Sequence, residues 1–173
     1  MENSIIEIVR YRPEHQPCFE KLNRDWIEKF FWMEPIDVEV LQHPEIHIIQ
    51  KGGEIFMGIY MKAIAGTVAL KYVAPDVYEF TKMAVGENFQ GKKIGEMLSQ
   101  VAIQHAKHLL AKKIILYSNT KLNAAINLYR KLGFKEVTLD GPYKRSNIKM
   151  ELNLSSPKAD KIRSFKSGII GLL

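Results

Sequence analysis

A change of period at the middle of the chain constrains its fold more than any other feature. Residues 78–85 read as a β-strand, a short polar loop follows, and over residues 92–110 apolar side chains recur at helical spacing. Ile94, Leu98, Val101, His105 and Leu109 form one stripe, while Lys92, Glu96, Ser99 and Lys107 lie largely off it. Residues 113–118, rich in β-branched side chains, read as a further strand. Strand, helix and strand in this order predict one right-handed crossover between parallel strands. The loop at its centre delivers the chain to a helix N-terminus, where free backbone N–H groups and the positive end of the helix dipole converge. Phosphates bind well at such a point. Gly91 and Gly95 lack a Cβ and let a ligand approach the backbone closely. A plain strand-to-helix turn, with Gly95 kept small for packing, is the simpler alternative. Neither a P-loop nor a Rossmann fingerprint fits: Gly91 is followed by Lys92 and Lys93 rather than Lys and a hydroxyl residue, and a third glycine is missing.

The first half of the chain is strand-rich around one helical segment. Residues 5–10 read as a strand. Pro13 and Pro17 bracket a helix start, and Phe19, Leu22, Trp26, Ile27 and Phe30 recur at helical spacing to about Phe31. A second short helix starts at Pro35, turns Val38 and Leu41 inward and ends before Pro44. Residues 47–50 read as a short strand or extended approach and 51–53 as a turn. Residues 54–61, 63–73 and 77–85 form an antiparallel meander with a tight connection near Lys62. In its last strand, Glu79, Thr81 and Met83 are expected to share a face. After the crossover, residues 122–132 read as a helix capped by Gly133. Residues 134–139 and 146–152 are the final strands, separated by the turn Asp140-Gly141-Pro142. The expected organisation is one domain over residues 1–154 and a tail of unassigned role over 155–173.

Composition removes several classes. With 173 residues, 46% hydrophobic and 25% charged, the chain suits a single soluble globular domain. It contains no run of roughly 18 apolar residues and its first residues lack a signal-peptide pattern, so the expectation is a cytoplasmic protein with no membrane partner. Cys18 is the only cysteine, which leaves no internal disulfide and no cysteine zinc site; it reads as a half-buried helix residue. The histidines form no convincing ligand set, His105 falls on an apolar face, and no metal is expected. A net charge of +6 suits an anionic ligand, but the lysines are scattered and no nucleic-acid motif is present.

Two stretches carry a resemblance. Gln90, Lys93 and Gly95, after Lys82-Met83-Ala84-Val85, stand at the positions of a signature of Gln or Arg, two residues, Gly, one residue, then Gly or Ala. Ala125-Ile126-Asn127-Leu128-Tyr129-Arg130-Lys131-Leu132-Gly133-Phe134 follows. Together they resemble the GNAT family of N-acetyltransferases, over nearly all of the chain except the tail. Lys93 departs from the pattern at its middle glycine.

The resemblance implies a mixed α/β (α+β) fold with a mostly antiparallel central sheet of six to seven strands, flanked by about four helices. It implies acetyl-CoA as co-substrate and transfer of the acetyl group to a primary amine of a small molecule or peptide by direct attack. Tyr129 matches a tyrosine that protonates the CoA sulfur, and Glu79 a strand carboxylate acting as base, often through water. The backbone of Met83, Ala84 and Val85 matches the pantetheine-binding strand. Gln90, Gly91, Lys92, Lys93, Ile94, Gly95 and Glu96 match the pyrophosphate loop. An Asn that contacts CoA in many members is Leu122 here, so Asn119 or Asn123 is the substitute. Trp26, Phe31 and Glu34 fall where the acceptor pocket is shaped, and Glu34 with Asp37 would hold a cationic amine; an acidic helix start is the alternative. The same fold keeping acyl-CoA as a sensor ligand without turnover is the competing function. A homodimer through a late strand or the apolar tail is compatible with the sequence.

Overall fold

The computed structural model describes residues 6–154. Seven strands form one sheet: β1 (Ile6–Arg10), β2 (Glu54–Tyr60), β3 (Ala63–Ala74), β4 (Val77–Val85), β5 (Lys113–Ser118), β6 (Lys135–Val137) and β7 (Ile148–Asn153). Their order is β1-β2-β3-β4-β5-β7-β6. Every neighbouring pair is antiparallel except β4 with β5, the product of the crossover. Four helices accompany the sheet: α1 (Gln16–Phe30), α2 (Pro35–Gln42), α3 (Ile94–His108) and α4 (Asn123–Lys131). This is the mixed, mostly antiparallel architecture expected.

Two cores sit on opposite faces of the sheet. On one, Leu98, Ala102 and Ala106 of α3 pack with Val68, Leu70, Phe80 and Ile114 of the strands. Gly58 and Gly66 are cross-strand partners there. A Cβ on either would lie 3.0 Å from Ile94 or Leu98, so the pair lets the start of α3 settle against the sheet. On the other face, Phe19 and Ile27 of α1 and Val40 and Leu41 of α2 pack over Ile55, Met57 and Ala69.

Several local expectations are corrected. Residues 47–50 are not extended: Glu45–Ile49 is a wide helical turn, closed by Gln50 N–H donating to Glu45 O at 2.8 Å, with Ile48 fully buried. The final strands are Lys135–Val137 and Ile148–Asn153, shorter and later than the apolar pattern suggested, because residues 138–147 leave the sheet to form a loop across the site. α3 begins at Ile94, two residues late, because Lys93 is left-handed at φ +63°. Cys18 is exposed rather than half-buried. The β2–β3 connection is tight at Lys62 as expected, but Met61 and Lys62 both take positive φ, 47° and 67°, without the Asn-Gly that such a turn favours. The expectations for residue 5 and for the tail over 155–173 lie outside the described residues.

The correction with most consequence lies in β4. The register against β3 slips between Thr67 and Ala69, and Lys82 sits in the left-handed region at φ +52°. This bulge breaks the alternation. Glu79 stays on the α1 face, whereas Met83 and Val85 turn to the α3 face and crowd Gly95. Glu79 and Met83 therefore do not share a face.

Candidate active site

The parallel pair at the centre of the sheet is short. β4 and β5 are in register only at Val77↔Lys113, Tyr78↔Ile114 and Glu79↔Ile115. β4 then continues to Val85 and β5 to Ser118 without pairing with each other. The strands part where the bulge begins, and a cleft opens between them. Side chains reach it from both faces of the sheet: Glu79, Trp26, Phe31 and Tyr143 from the α1 side, Tyr129 from α4 and Met83 from β4.

Glu79 is 5% exposed. Its Oε1 accepts a hydrogen bond from Tyr143 Oη at 2.8 Å, from the loop between β6 and β7. Burial, and then the negative charge of Glu79, push the Tyr143 phenol far above the ordinary tyrosine range, so it stays a donor. Tyr117 of β5 meets the Tyr143 ring edge-on at 5.4 Å between centroids. The sequence offered no sign of Tyr143: it follows a Gly-Pro turn in a stretch without periodicity.

Tyr129 stands across the gap. Its ring packs edge-on against Phe80 and Phe134. Thr67 Oγ1 is the only buried side-chain polar atom without a partner among the described residues. The Tyr129 hydroxyl makes no hydrogen bond there either, so it opens onto the cleft rather than into the core. Burial raises its pKa to about 12, which keeps the phenol protonated at neutral pH.

A buried ion network supports the α1 side. Arg145 grips Asp37 with both arms of its guanidinium, at 2.5 and 2.9 Å, and reaches Glu34 at 3.2 Å. Lys82 Nζ donates to Asp37 Oδ1 at 3.0 Å. Asp37 is fully buried; burial alone would raise its pKa, but Arg145 and Lys82 outweigh burial and hold it below the usual carboxylate value. Burial depresses Lys82 in turn, with Asp37 opposing. The cation that Glu34 and Asp37 hold is thus the protein's own Arg145. Asp37 also caps α2, accepting from Glu34 N–H at 3.1 Å. The bulge at Lys82 puts its ammonium here, and neither Lys82 nor Arg145 was legible as part of the site.

Along the loop, Gly91 has φ +75° and open space where a Cβ would project, while a Cβ on Gly95 would meet Met83 Cε at 2.9 Å. Gly95 is thus tight on its core side, as the packing alternative supposed, and Gly91 is the open one. Gln90, Lys92 and Lys93 are exposed, Ile94 is buried in the core, and Glu96 pairs with Lys131 at 2.7 Å. Lys92 Nζ lies over the Tyr60 ring, 5.3 Å from its centroid. Helix start, open Gly91 and the unpaired inner edge of β4 fit a ligand with a phosphate head and an extended arm. Asn119 is occupied in the loop itself, donating to Arg145 O at 2.8 Å and accepting from Lys121 N–H at 3.0 Å. Asn123 is exposed at the start of α4, and Leu122 lines the cleft. His105 packs edge-on against Phe56, and burial lowers its pKa.

Residues 8–134 match the model of the acetyltransferase (GNAT) family. No curated protein matches the chain. Among solved structures, it is similar to a GNAT-family acetyltransferase of Staphylococcus aureus Mu50, with 22% identity and a TM-score of 0.79 over 86% of this chain and 99% of that one. The PaiA N-acetyltransferase of Thermoplasma acidophilum, in complex with coenzyme A, is 19% identical with a TM-score of 0.68, over 86% of this chain and 98% of that one. YncA of Salmonella typhimurium, with its cofactor acetyl-CoA, is 16% identical with a TM-score of 0.73, over 92% and 99%. At these identities the structural likeness is one of fold.

Proposed function

Because the chain belongs to the acetyltransferase (GNAT) family, we propose that it transfers an acetyl group from acetyl-CoA to a primary amine of a small molecule or peptide, by direct attack. The observation that carries this reading is the gap between β4 and β5, with Glu79 on one side and Tyr129 on the other. The backbone of Met83, Ala84 and Val85 would hold the pantetheine arm, and residues Gln90 to Glu96 the pyrophosphate through main-chain N–H groups. When bound, acetyl-CoA supplies a thioester carbonyl and a thiolate leaving group.

The protein's own residues supply the rest. One oxygen of Glu79 is taken by Tyr143, which fixes the carboxylate and leaves the other oxygen to accept a proton from an incoming ammonium, directly or through water. A phenol retained in its neutral form at Tyr129 can protonate the departing sulfur, because a bare thiolate is as poorly solvated there as a phenolate. The aromatic walls of Trp26 and Phe31 exclude water and hold the acceptor in line. No helix among the described residues is long and apolar enough to cross a membrane.

Calorimetric titration with acetyl-CoA, run beside CoA release against a panel of amines, tests the reading. Binding with turnover on an amine supports it. Binding without turnover on any amine or peptide favours an acyl-CoA sensor. No binding at millimolar acetyl-CoA refutes it.

A further inference from the structure

The charges and walls of the cleft on the α1 side define what the acceptor can carry. Five ionisable groups other than tyrosine cluster there: Glu34, Asp37 and Glu79 against Lys82 and Arg145. Both cations are committed to Asp37, Arg145 through a two-armed grip and Lys82 through one hydrogen bond of 3.0 Å. Glu34 shares Arg145. Glu79 makes no ion pair among the described residues: it accepts one hydrogen bond, from the neutral Tyr143 hydroxyl, and Lys82 attracts it only at longer range. The cluster therefore keeps one uncompensated negative charge, and it sits on the carboxylate that faces the cleft.

Around that carboxylate the walls are aromatic. Tyr117 and Tyr143 form one edge-on pair, and Trp26 and Phe31 lie 6.1 Å apart between centroids on the other side. All four line the cleft and all are half-buried. A cation beside Glu79 gains both a counter-charge and the faces of these rings. A carboxylate next to the acceptor amine gains neither. It would stand close to Glu79 and find Lys82 and Arg145 already paired with Asp37, so little would repay its desolvation. Discrimination of this kind comes from what the site rejects.

We propose that the acceptor is an alkylamine or arylalkylamine whose amine has no neighbouring carboxylate, and that the Asp37–Arg145–Lys82 network makes the site select against amino acids. This deepens the reading of the preceding subsection and rests on it. The network acts by withholding two cations, so it is a specificity device rather than catalytic machinery.

Binding and turnover separate the two claims. In a Trp32→Phe background Trp26 is the only tryptophan of the chain, and its fluorescence reports occupancy of the cleft. With CoA saturating, phenethylamine is titrated against phenylalanine, and agmatine against arginine. The expected result is that each carboxylate-free amine binds at least 100-fold more tightly than its amino acid. Glu79→Gln should shrink that ratio to about tenfold or less, since it removes the uncompensated charge. Equal or tighter binding of phenylalanine and arginine overturns the proposal even if amines are acetylated. A ratio untouched by Glu79→Gln overturns its electrostatic basis. CoA release with phenethylamine or agmatine, above the rate without acceptor, is the parallel measurement: turnover confined to amino acids refutes the acceptor class, while no acceptor-dependent CoA release with any amine, amino acid or peptide refutes the acetyltransferase reading and this inference with it.

Discussion

Replacing Lys93 with glycine should stabilise the protein and leave its ligand affinity nearly intact. Lys93 precedes α3 at φ +63°, ψ +11°, in the left-handed region. An L-residue pays about 1–2 kcal/mol to stand there, and glycine does not. Against that gain, glycine loosens the unfolded chain by about 0.4–1 kcal/mol. Lys93 is exposed and forms no ion pair among the described residues, so nothing else of substance is lost. The expected balance is a gain of about 0.5–1 kcal/mol, or roughly 1–4 °C in Tm for a chain of this size. Lys93→Ala is the control: it removes the charge but keeps the Cβ, and should bring no gain. If the pyrophosphate is held by main-chain N–H groups, either variant should weaken CoA binding by no more than about fivefold, the worth of one exposed charge near a helix end. Thermal unfolding and calorimetry measure the two effects. A Lys93→Gly variant no more stable than Lys93→Ala would refute the strain argument. A 100-fold loss of CoA affinity in both would refute the main-chain cradle and make the Lys93 ammonium a phosphate ligand.

Other perturbations separate the roles assigned above. Tyr129→Phe should lower kcat by about 100-fold or more and leave Tm and the acetyl-CoA Kd unchanged, because the hydroxyl has no hydrogen-bond partner among the described residues; equal kcat in pre-steady-state acetyl transfer would remove Tyr129 from the chemistry. Asp37→Asn should cost about 3 kcal/mol or more in urea unfolding, since it leaves Arg145 and Lys82 buried without their anion; a cost under 1 kcal/mol would show the network to be slack. Asp37 is held below its unfolded value of about 3.9. Its contribution is therefore present above that pH and lost as pH falls through the folded pKa, so acid-induced unfolding of the wild type should carry a component that Asp37→Asn lacks. Lys62→Gly should raise Tm by relieving φ +67° in the β2–β3 turn; a fall in Tm would show that the turn is not strained.

Much of this was legible from residue order. The period change at Gly86 to Gly91, the meander before it and the Gly133 cap fix the sheet and its crossover, because burial on one face imposes the repeat that the sequence displays. Tyr129 and Glu79 were found through a resemblance of motifs, and both line the cleft. What escaped is what periodicity cannot encode. The bulge at Lys82 has no Gly or Pro to mark it, yet it turns Met83 away from the face of Glu79 and sends an ammonium to Asp37. Tyr143 and Arg145 stand in a loop far along the chain from their partners, and such pairings leave no local pattern. Glu34 and Asp37 were read either as holders of a substrate amine or as an acidic helix start; they form the start of α2 and hold Arg145.

The three-residue seam between β4 and β5 also bears on how the molecule comes apart. It is the narrowest junction in the sheet apart from the short β6 edge, and residues 113–154 lie beyond it with α4, joined to the rest also by the shared core, by Arg145 on Asp37 and by Tyr143 on Glu79. Partial opening should begin there, with amides of β5 and β7 exchanging with solvent as one cooperative block before those of β2 and β3. A ligand lying along the free edge of β4 would bridge both sides of that seam. Occupancy would then act as a staple, slowing the opening in proportion to ligand supply, and the lifetime of the protein against proteolysis would track the concentration of that ligand.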